Sequence, residues 1–200
     1  MKKIAIALML LLPSAMIAQD NSWERSENSA NSEAKYLAGA VPEVNGKVVF
    51  QKEIAAPGKT KAQIYDILLK ELTKMTKEEN QFEQSRIVYT DEENKAQLVA
   101  SYQEWLVFKN KPLVLDRTRL FYHLSAEIAD GKATIRMNRI YYLYEEERQP
   151  TTYQAEEWIT DKYGLNKKQT KTSRVSGKFR RKTIDRKDYL FNKFEKLLNE

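Results

Sequence analysis

The sequence predicts an α+β fold: an antiparallel β-sheet with helices packed on one face, in the order β-α-β-β-β-β-α. Three observations carry this. Ile64, Ile67, Leu68, Leu72 and Met75 recur at intervals of three and four, the apolar stripe of a helix facing a core. Residues 117–129 and 132–144 flank Asp130-Gly131, the strongest short hairpin signal. Ile184, Leu190, Phe191, Phe194, Leu197 and Leu198 form a second helical stripe at the C-terminal end.

Each element follows from its local chemistry. Asn45-Gly46 is a turn signal, and residues 48–54 read as the first strand. Thr60 with Gln63 three residues on forms a capping-box pattern that opens the first helix. Strands at 86–90 and 96–108 are separated by Asp-Glu-Glu-Asn, which suits a hairpin turn. With Asp130 and Gly131 as loop residues, one face of the next hairpin matches Ile128 with Ala133, Ala126 with Ile135, Leu124 with Met137 and Leu120 with Tyr141. The other face matches Glu127 with Thr134, Ser125 with Arg136, His123 with Asn138, Phe121 with Ile140 and Arg119 with Tyr142. The first face is apolar and the second mixed, and a slip of one residue would scramble both. Beyond Pro150 the strand pattern stops. Residues 155–163 read as a short helix and 166–182 as a basic loop or irregular strand. Residues 184–199 read as a helix capped by Thr183, with Ile184 as its first core contact.

The first twenty residues predict an address. Lys2 and Lys3 precede an apolar run from Ile4 to Leu12, Pro13 and Ser14 break it, and Ala18 precedes a polar Gln19. This is the order of a secretory signal peptide cleaved after Ala18, and the run is too short to span a bilayer, which takes about 20 apolar residues. The expected protein is exported, periplasmic or secreted. With no Cys it has no disulfide and no acylated cysteine, so it is not a lipoprotein. The expected division is a signal peptide at 1–18, a flexible Ser/Asn/Glu-rich leader at 19–34 in which Trp23 is incidental, an α+β domain at 35–149, and a basic helical C-terminal extension at 150–200 packed on that domain.

Charge is uneven. Residues 162–187 hold eleven Lys and Arg against Asp185 alone, whereas the whole chain carries a formal +6 that includes Lys2 and Lys3. The rest of the mature chain is therefore acidic, and the basic pI describes one segment.

KVVFQKEIAAPGKTKAQIYDILLKEL, SRIVYTDEENKAQLVASYQEWLVF, TRLFYHL and IYYLYEE resemble a bacterial domain-of-unknown-function family with a TATA-binding-protein-like (TBP-like) fold, common in exported proteins of Bacteroidetes. The similarity covers residues 47–147. It implies a curved antiparallel sheet with helices on one face. No catalytic motif comes with the family, and a shared fold implies no DNA binding.

Enzyme chemistry is mostly excluded by what is missing. His123 is the only histidine, which rules out His-rich metal sites, and any Ser-His-Asp triad would have to use it. Ser125 and Glu127 share its strand face, but Ser125 is about 7 Å away along the strand. A hydrolase using His123 is therefore the alternative reading, and no cofactor or metal is expected. Glu92-Glu93 and Glu145-Glu146-Glu147 lack EF-hand spacing, and Gly58-Lys59-Thr60 lacks the first glycine of a P-loop.

Two binding candidates remain. Arg117, Arg119, Phe121, Tyr142 and Tyr144 fall together on the mixed sheet face, with the aromatic and arginine composition of binding surfaces. Either that face is an open site for an envelope protein, glycan or lipid head group, or the C-terminal segment covers it and the aromatics are core. Arg174, Lys178, Arg180, Arg181 and Lys182 form a second candidate around Phe179. They suit an anionic lipid or polymer, and an exported protein rarely meets nucleic acid. Alternatively they are a solvated loop, with Phe179 docked on the domain and its arginines in water. The reading that results is a non-enzymatic binding or assembly module of the cell envelope.

Overall fold

The structure, a computed structural model, describes Asn21, Trp23 and residues 33–200. The signal-peptide reading of 1–18 and most of the 19–34 leader lie outside the described residues.

A small hairpin, β1 (Glu43–Val44) and β2 (Lys47–Val48), turns at Asn45-Gly46, where both residues adopt the positive φ such a turn needs. β3 (Phe50–Ala55) leads to α1 (Lys61–Met75). The expected capping box is present: Thr60 Oγ1 accepts from the Gln63 backbone N–H, and Gln63 Oε1 accepts from that of Thr60. The next backbone amide, on Lys61, donates to Asp130 Oδ1 at 2.7 Å, so the start of the helix is tied to the central hairpin turn. β4 (Arg86–Thr90), β5 (Gln97–Lys111), β6 (Val114–Ala129) and β7 (Lys132–Tyr144) continue as an antiparallel meander.

The sheet order is β3-β7-β6-β5-β4. A strand not expected from the sequence, β8 (Thr151–Gln154), also pairs with β7. β3 lines β7 over Lys132–Met137 and β8 lines it over Tyr141–Tyr144, so two short strands lie end to end along one edge. Beyond β8 come two single-turn helices, α2 (Ala155–Trp158) and α3 (Asp161–Gly164), where one short helix was expected.

The last helix, α4 (Gly177–Asn199), begins seven residues before the predicted start. Thr183 is not its cap but a buried interior residue whose Oγ1 lies 2.7 Å from Tyr142 Oη. α1 and α4 cover one face of the sheet. Leu98, Ala100, Tyr102 and Leu106 of β5 point into that layer, with Leu120, Tyr122, Leu124 and Ala126 of β6 and Ala133, Ile135, Met137 and Tyr142 of β7. Phe179 sits inside a ring cluster of Phe108, Tyr142, Tyr144, Trp158 and Tyr153, at centroid distances of 4.6 to 6.2 Å. Aromatic pairs at such separations add about 0.5–1.5 kcal/mol each beyond burial.

Trp23 is not incidental: it is 6% exposed and packs against Tyr189. Asn21 caps the outer edge of β5 with its side-chain amide. Its side chain accepts from the Val107 amide and donates to the Val107 carbonyl.

Candidate functional site

A bulge builds the site. The β6–β7 register matches the sequence expectation from Ala129↔Lys132 up to His123↔Asn138, then shifts by one so that Phe121 pairs with Tyr141 and Leu120 with Tyr142. The extra residue is accommodated at Arg139, in the left-handed region at φ 51. Such an insertion bends the strand and re-aims the side chains beyond it. Here it exchanges the faces of residues 141–144, because side chains alternate with a period of two.

The consequences correct the predicted face. Tyr142, expected beside Arg119, is fully buried under α4, and Tyr144 Oη donates to Asp116 in the same covered layer. Tyr141 takes the open side and stacks on Phe121, with centroids 4.2 Å apart and rings 8° from parallel. The C-terminal segment does cover aromatics of this set, but from the opposite side of the sheet. Arg117 and Arg119 remain on the open face and are engaged there. Arg117 lies 3.7 Å over Trp105 and pairs with Glu147. Arg119 lies 3.9 Å over Phe82 and makes a bidentate pair with Glu146. Of the five predicted residues, Phe121 lines the larger open cavity at the bulge, whereas Arg117 and Tyr144 line a smaller one beside Trp105 and the turn at 145–148.

The larger cavity, ≈ 730 Å3, lies on the open face at the bulge. Two cross-strand rows form its floor: Gln103–Phe121–Tyr141 and Ser101–His123–Asn138. Its wall is the gap between β3 and β8, where no described strand is hydrogen-bonded to the outer edge of β7 and where Lys47 and Val49 line the cavity. Gln154 and Glu156 close the gap, the latter held by the Val48 amide donating to its Oε1 at 3.0 Å. The side chains of Ser101, Gln103, His123, Asn138 and Gln154 make no hydrogen bond among the described residues. Five unengaged polar groups thus ring one aromatic pair. Burial, reinforced by the nearby positive charge of Arg139, lowers the His123 pKa, so the imidazole is neutral at pH 7 and offers one donor and one acceptor. Burial also raises the Tyr141 pKa, which keeps its hydroxyl protonated.

Ser101, His123 and Asn138 stand side by side across three strands. No hydrogen bond joins them among the described residues. Among the described residues no group of three or more His, Cys, Asp or Glu could hold a metal ion.

The predicted anionic-surface set is also divided. Arg180 is fully buried: its guanidinium donates to the carbonyls of Tyr36, Leu37 and Ile159 at 2.6 Å and to Asp161 at 2.7 Å. Gly164 is required beside it, since a Cβ there would stand 2.6 Å from the Ile159 carbonyl oxygen and 2.9 Å from Arg180 Cδ. Lys178 is bound to both Asp116 oxygens and to Tyr144 Oη. Arg181 pairs with Glu33, Lys182 is half-buried, and Arg174 is exposed. Phe179 docks as expected, but its arginine neighbours are not all in solvent. Arg186, from the same segment, is buried in a bidentate pair with Glu104, whose Oε2 also accepts from Gln81.

No helix among the described residues is long and apolar enough to cross a membrane. No curated protein matches the chain. A DUF4468 family protein from Bacteroides ovatus ATCC 8483 is similar in structure, with a TM-score of 0.75, 40% identity, 85% of this chain covered and 96% of that one. A TBP-like protein from Parabacteroides distasonis ATCC 8503 shares the fold at a TM-score of 0.61 and 17% identity, over 79% of this chain and 96% of that one. The family profile described as "Domain of unknown function (DUF4468) with TBP-like fold" matches residues 50–143. The α+β sheet-and-helix layer is thus a TBP-like fold, and the chain belongs to the DUF4468 family.

Proposed function

We propose that the chain is a non-enzymatic, exported binding module of the cell envelope, and that its open-face cavity takes a glycan. One observation carries this reading: the stacked Phe121–Tyr141 pair is ringed by amide, hydroxyl and imidazole groups that have no partner within the described residues. A sugar ring offers a flat C–H face to an aromatic surface and hydroxyls that both donate and accept. Amides, a serine hydroxyl and a neutral imidazole are matched to such a ligand. Arg139 on the rim suits a sugar that carries a carboxylate or other acidic group. Export rests on the order of Lys2, Lys3, the apolar run and Ala18.

The test is an oligosaccharide array probed with the mature chain, then titration of any retained sugar against Tyr141→Ala, Asn138→Ala and Arg117→Ala. The first two should weaken binding about tenfold or more, the loss of one stacking or hydrogen-bonding anchor, with Arg117→Ala near wild type. Retention that ignores Tyr141 and Asn138, or an array with no retained sugar, would sink the glycan reading. His123→Gln assayed with ester, amide and glycoside substrates separates the hydrolase alternative, which requires turnover lost in that variant. A reporter fused to residues 1–18 tests export.

A further inference from the structure

The second candidate lies at the far end of the β5–β6 hairpin and is independent of the glycan reading. β7 pairs with β6 only from Thr118, and β4 pairs with β5 only over Leu98–Ser101. Lys109↔Asp116, Asn110↔Leu115 and Lys111↔Val114 therefore form a two-stranded ribbon at the end of the sheet, with no third strand paired to it among the described residues. From Thr118 to Val114 it extends roughly 13 Å at strand spacing. Its apex is a two-residue Pro112-Leu113 turn.

The apex composition is unusual for a loop tip. Leu113 is 105% exposed, Leu115 53% and Val114 44%. Leu113 has φ 64, a conformation that ordinarily selects Gly or Asn. A large aliphatic side chain is thus held in strained backbone and turned entirely into water. Lys109 and Lys111, both exposed, stand just behind the apex. The one acid on the ribbon, Asp116, is neutralised by Lys178 at the start of α4. Exposed Arg174 and Val175, the latter 63% exposed, lie four and three residues before Lys178 in sequence.

We infer that this hairpin tip is an anchor for an anionic lipid surface, with Leu113, Val114 and Leu115 entering the head-group boundary and Lys109 and Lys111 meeting lipid charge. The dimensions agree: interfacial anchors reach about 5–10 Å into that boundary, which the ribbon can do before the body of the sheet meets the surface. Lysine stems run along the apolar layer while their ammonium groups stay at head-group level. A protein partner fits less well. A stable interface buries on the order of 800 Å2 on each side, more than an apex of a few residues presents. One short plug with two or three cations gives weak, reversible attachment, strongest at low salt.

The test uses the mature full chain and co-sedimentation with vesicles of phosphatidylcholine alone or mixed with phosphatidylglycerol. The mixed vesicles should retain the protein and the neutral ones should not, with retention falling steeply as salt rises. Leu113→Asn fits the backbone of the turn and should fold at least as well as the parent, so it removes the plug without risk to the domain. Combined with Leu115→Ser it should lower partitioning about tenfold or more, a loss of the order expected for two aliphatic side chains. Lys109→Gln with Lys111→Gln should lower it several-fold and flatten the salt dependence. The inference is overturned by no retention at low salt, or by retention unchanged in Leu113→Asn/Leu115→Ser but lost in Arg174→Gln. It is equally overturned if the tip instead mediates a concentration-dependent dimer that Leu113→Asn dissolves.

Discussion

Arg180 offers the sharpest test of how the basic segment is used. Its guanidinium closes four hydrogen bonds, three of them to backbone carbonyls from two different parts of the chain, Tyr36 and Leu37 on one side and Ile159 on the other. Arg180→Ala would leave those carbonyls in a site the arginine seals completely. A buried acceptor left without a donor costs about 1–3 kcal/mol, and breaking a buried charged cluster typically costs about 3–5 kcal/mol in all. The Asp161 arm contributes least, because that side chain is 31% exposed. We expect a loss of about 4 kcal/mol. For a chain of this length each kcal/mol moves the melting temperature by about 2–4 °C, so the shift should be about 10 °C. Arg174→Ala, an exposed neighbour in the same segment, should change stability by less than about 0.5 kcal/mol. Differential scanning calorimetry on the two variants decides the matter. Equal, small shifts would refute the idea that Arg180 clamps the N-terminal turn and the α2–α3 region onto α4.

Two more outcomes concern the buried face and the open one. Tyr142 and Thr183 share a hydroxyl contact across the sheet–helix interface, so a Tyr142→Phe and Thr183→Val cycle should give a coupling of about 1 kcal/mol by chemical denaturation; additive losses would place the two hydroxyls apart. The His123 pKa is lowered in the folded state from its ordinary value of 6.5, so the unfolded chain binds the extra proton first as pH falls. Its contribution to stability is whole above that value, declines below it, and levels off once the folded-state pKa is passed. His123→Gln should flatten this part of the stability–pH curve, and an NMR titration placing the His123 pKa at or above 6.5 would contradict the burial that the structure gives it.

The sequence disclosed most of the architecture because most elements carry strong local chemistry. Thr60 and Gln63 fix where α1 begins, and Asp130-Gly131 fixes the hairpin register over half its length. The second half is not legible in the sequence, for a physical reason. Ile140, Tyr141, Tyr142, Leu143 and Tyr144 are uniformly apolar, so they contain no alternation to say which side faces the core. The bulge at Arg139 leaves no composition signal, since a positive φ is usually marked by glycine. Of the candidate site, the sequence points to Phe121, whereas an unbroken register puts Tyr141 on the opposite face. Gln103, Asn138 and Gln154 were missed as ligand groups because ordinary amides on a mixed face carry no pattern. Helix α4 was begun too late because Gly177-Lys178-Phe179-Arg180-Arg181-Lys182 looks solvated until the carbonyls that receive Arg180 are known. β8 is illegible because Thr151–Gln154 is short and polar, with Tyr153 its one ring in the sheet–helix layer.

The bulge at Arg139 also bears on how relatives of this chain should be compared. It acts as a phase slip: consecutive residues Tyr141 and Tyr142 serve opposite compartments, one presenting a ring to solvent and the next locking against α4. A homologue with the same side chains but one residue fewer between Asn138 and Tyr141 would invert that assignment, sending the outward ring into the helix layer and closing the gap between β3 and β8. Segment length at this point, rather than the identity of any lining residue, is therefore the character that separates chains able to carry this cavity from those that only share the scaffold.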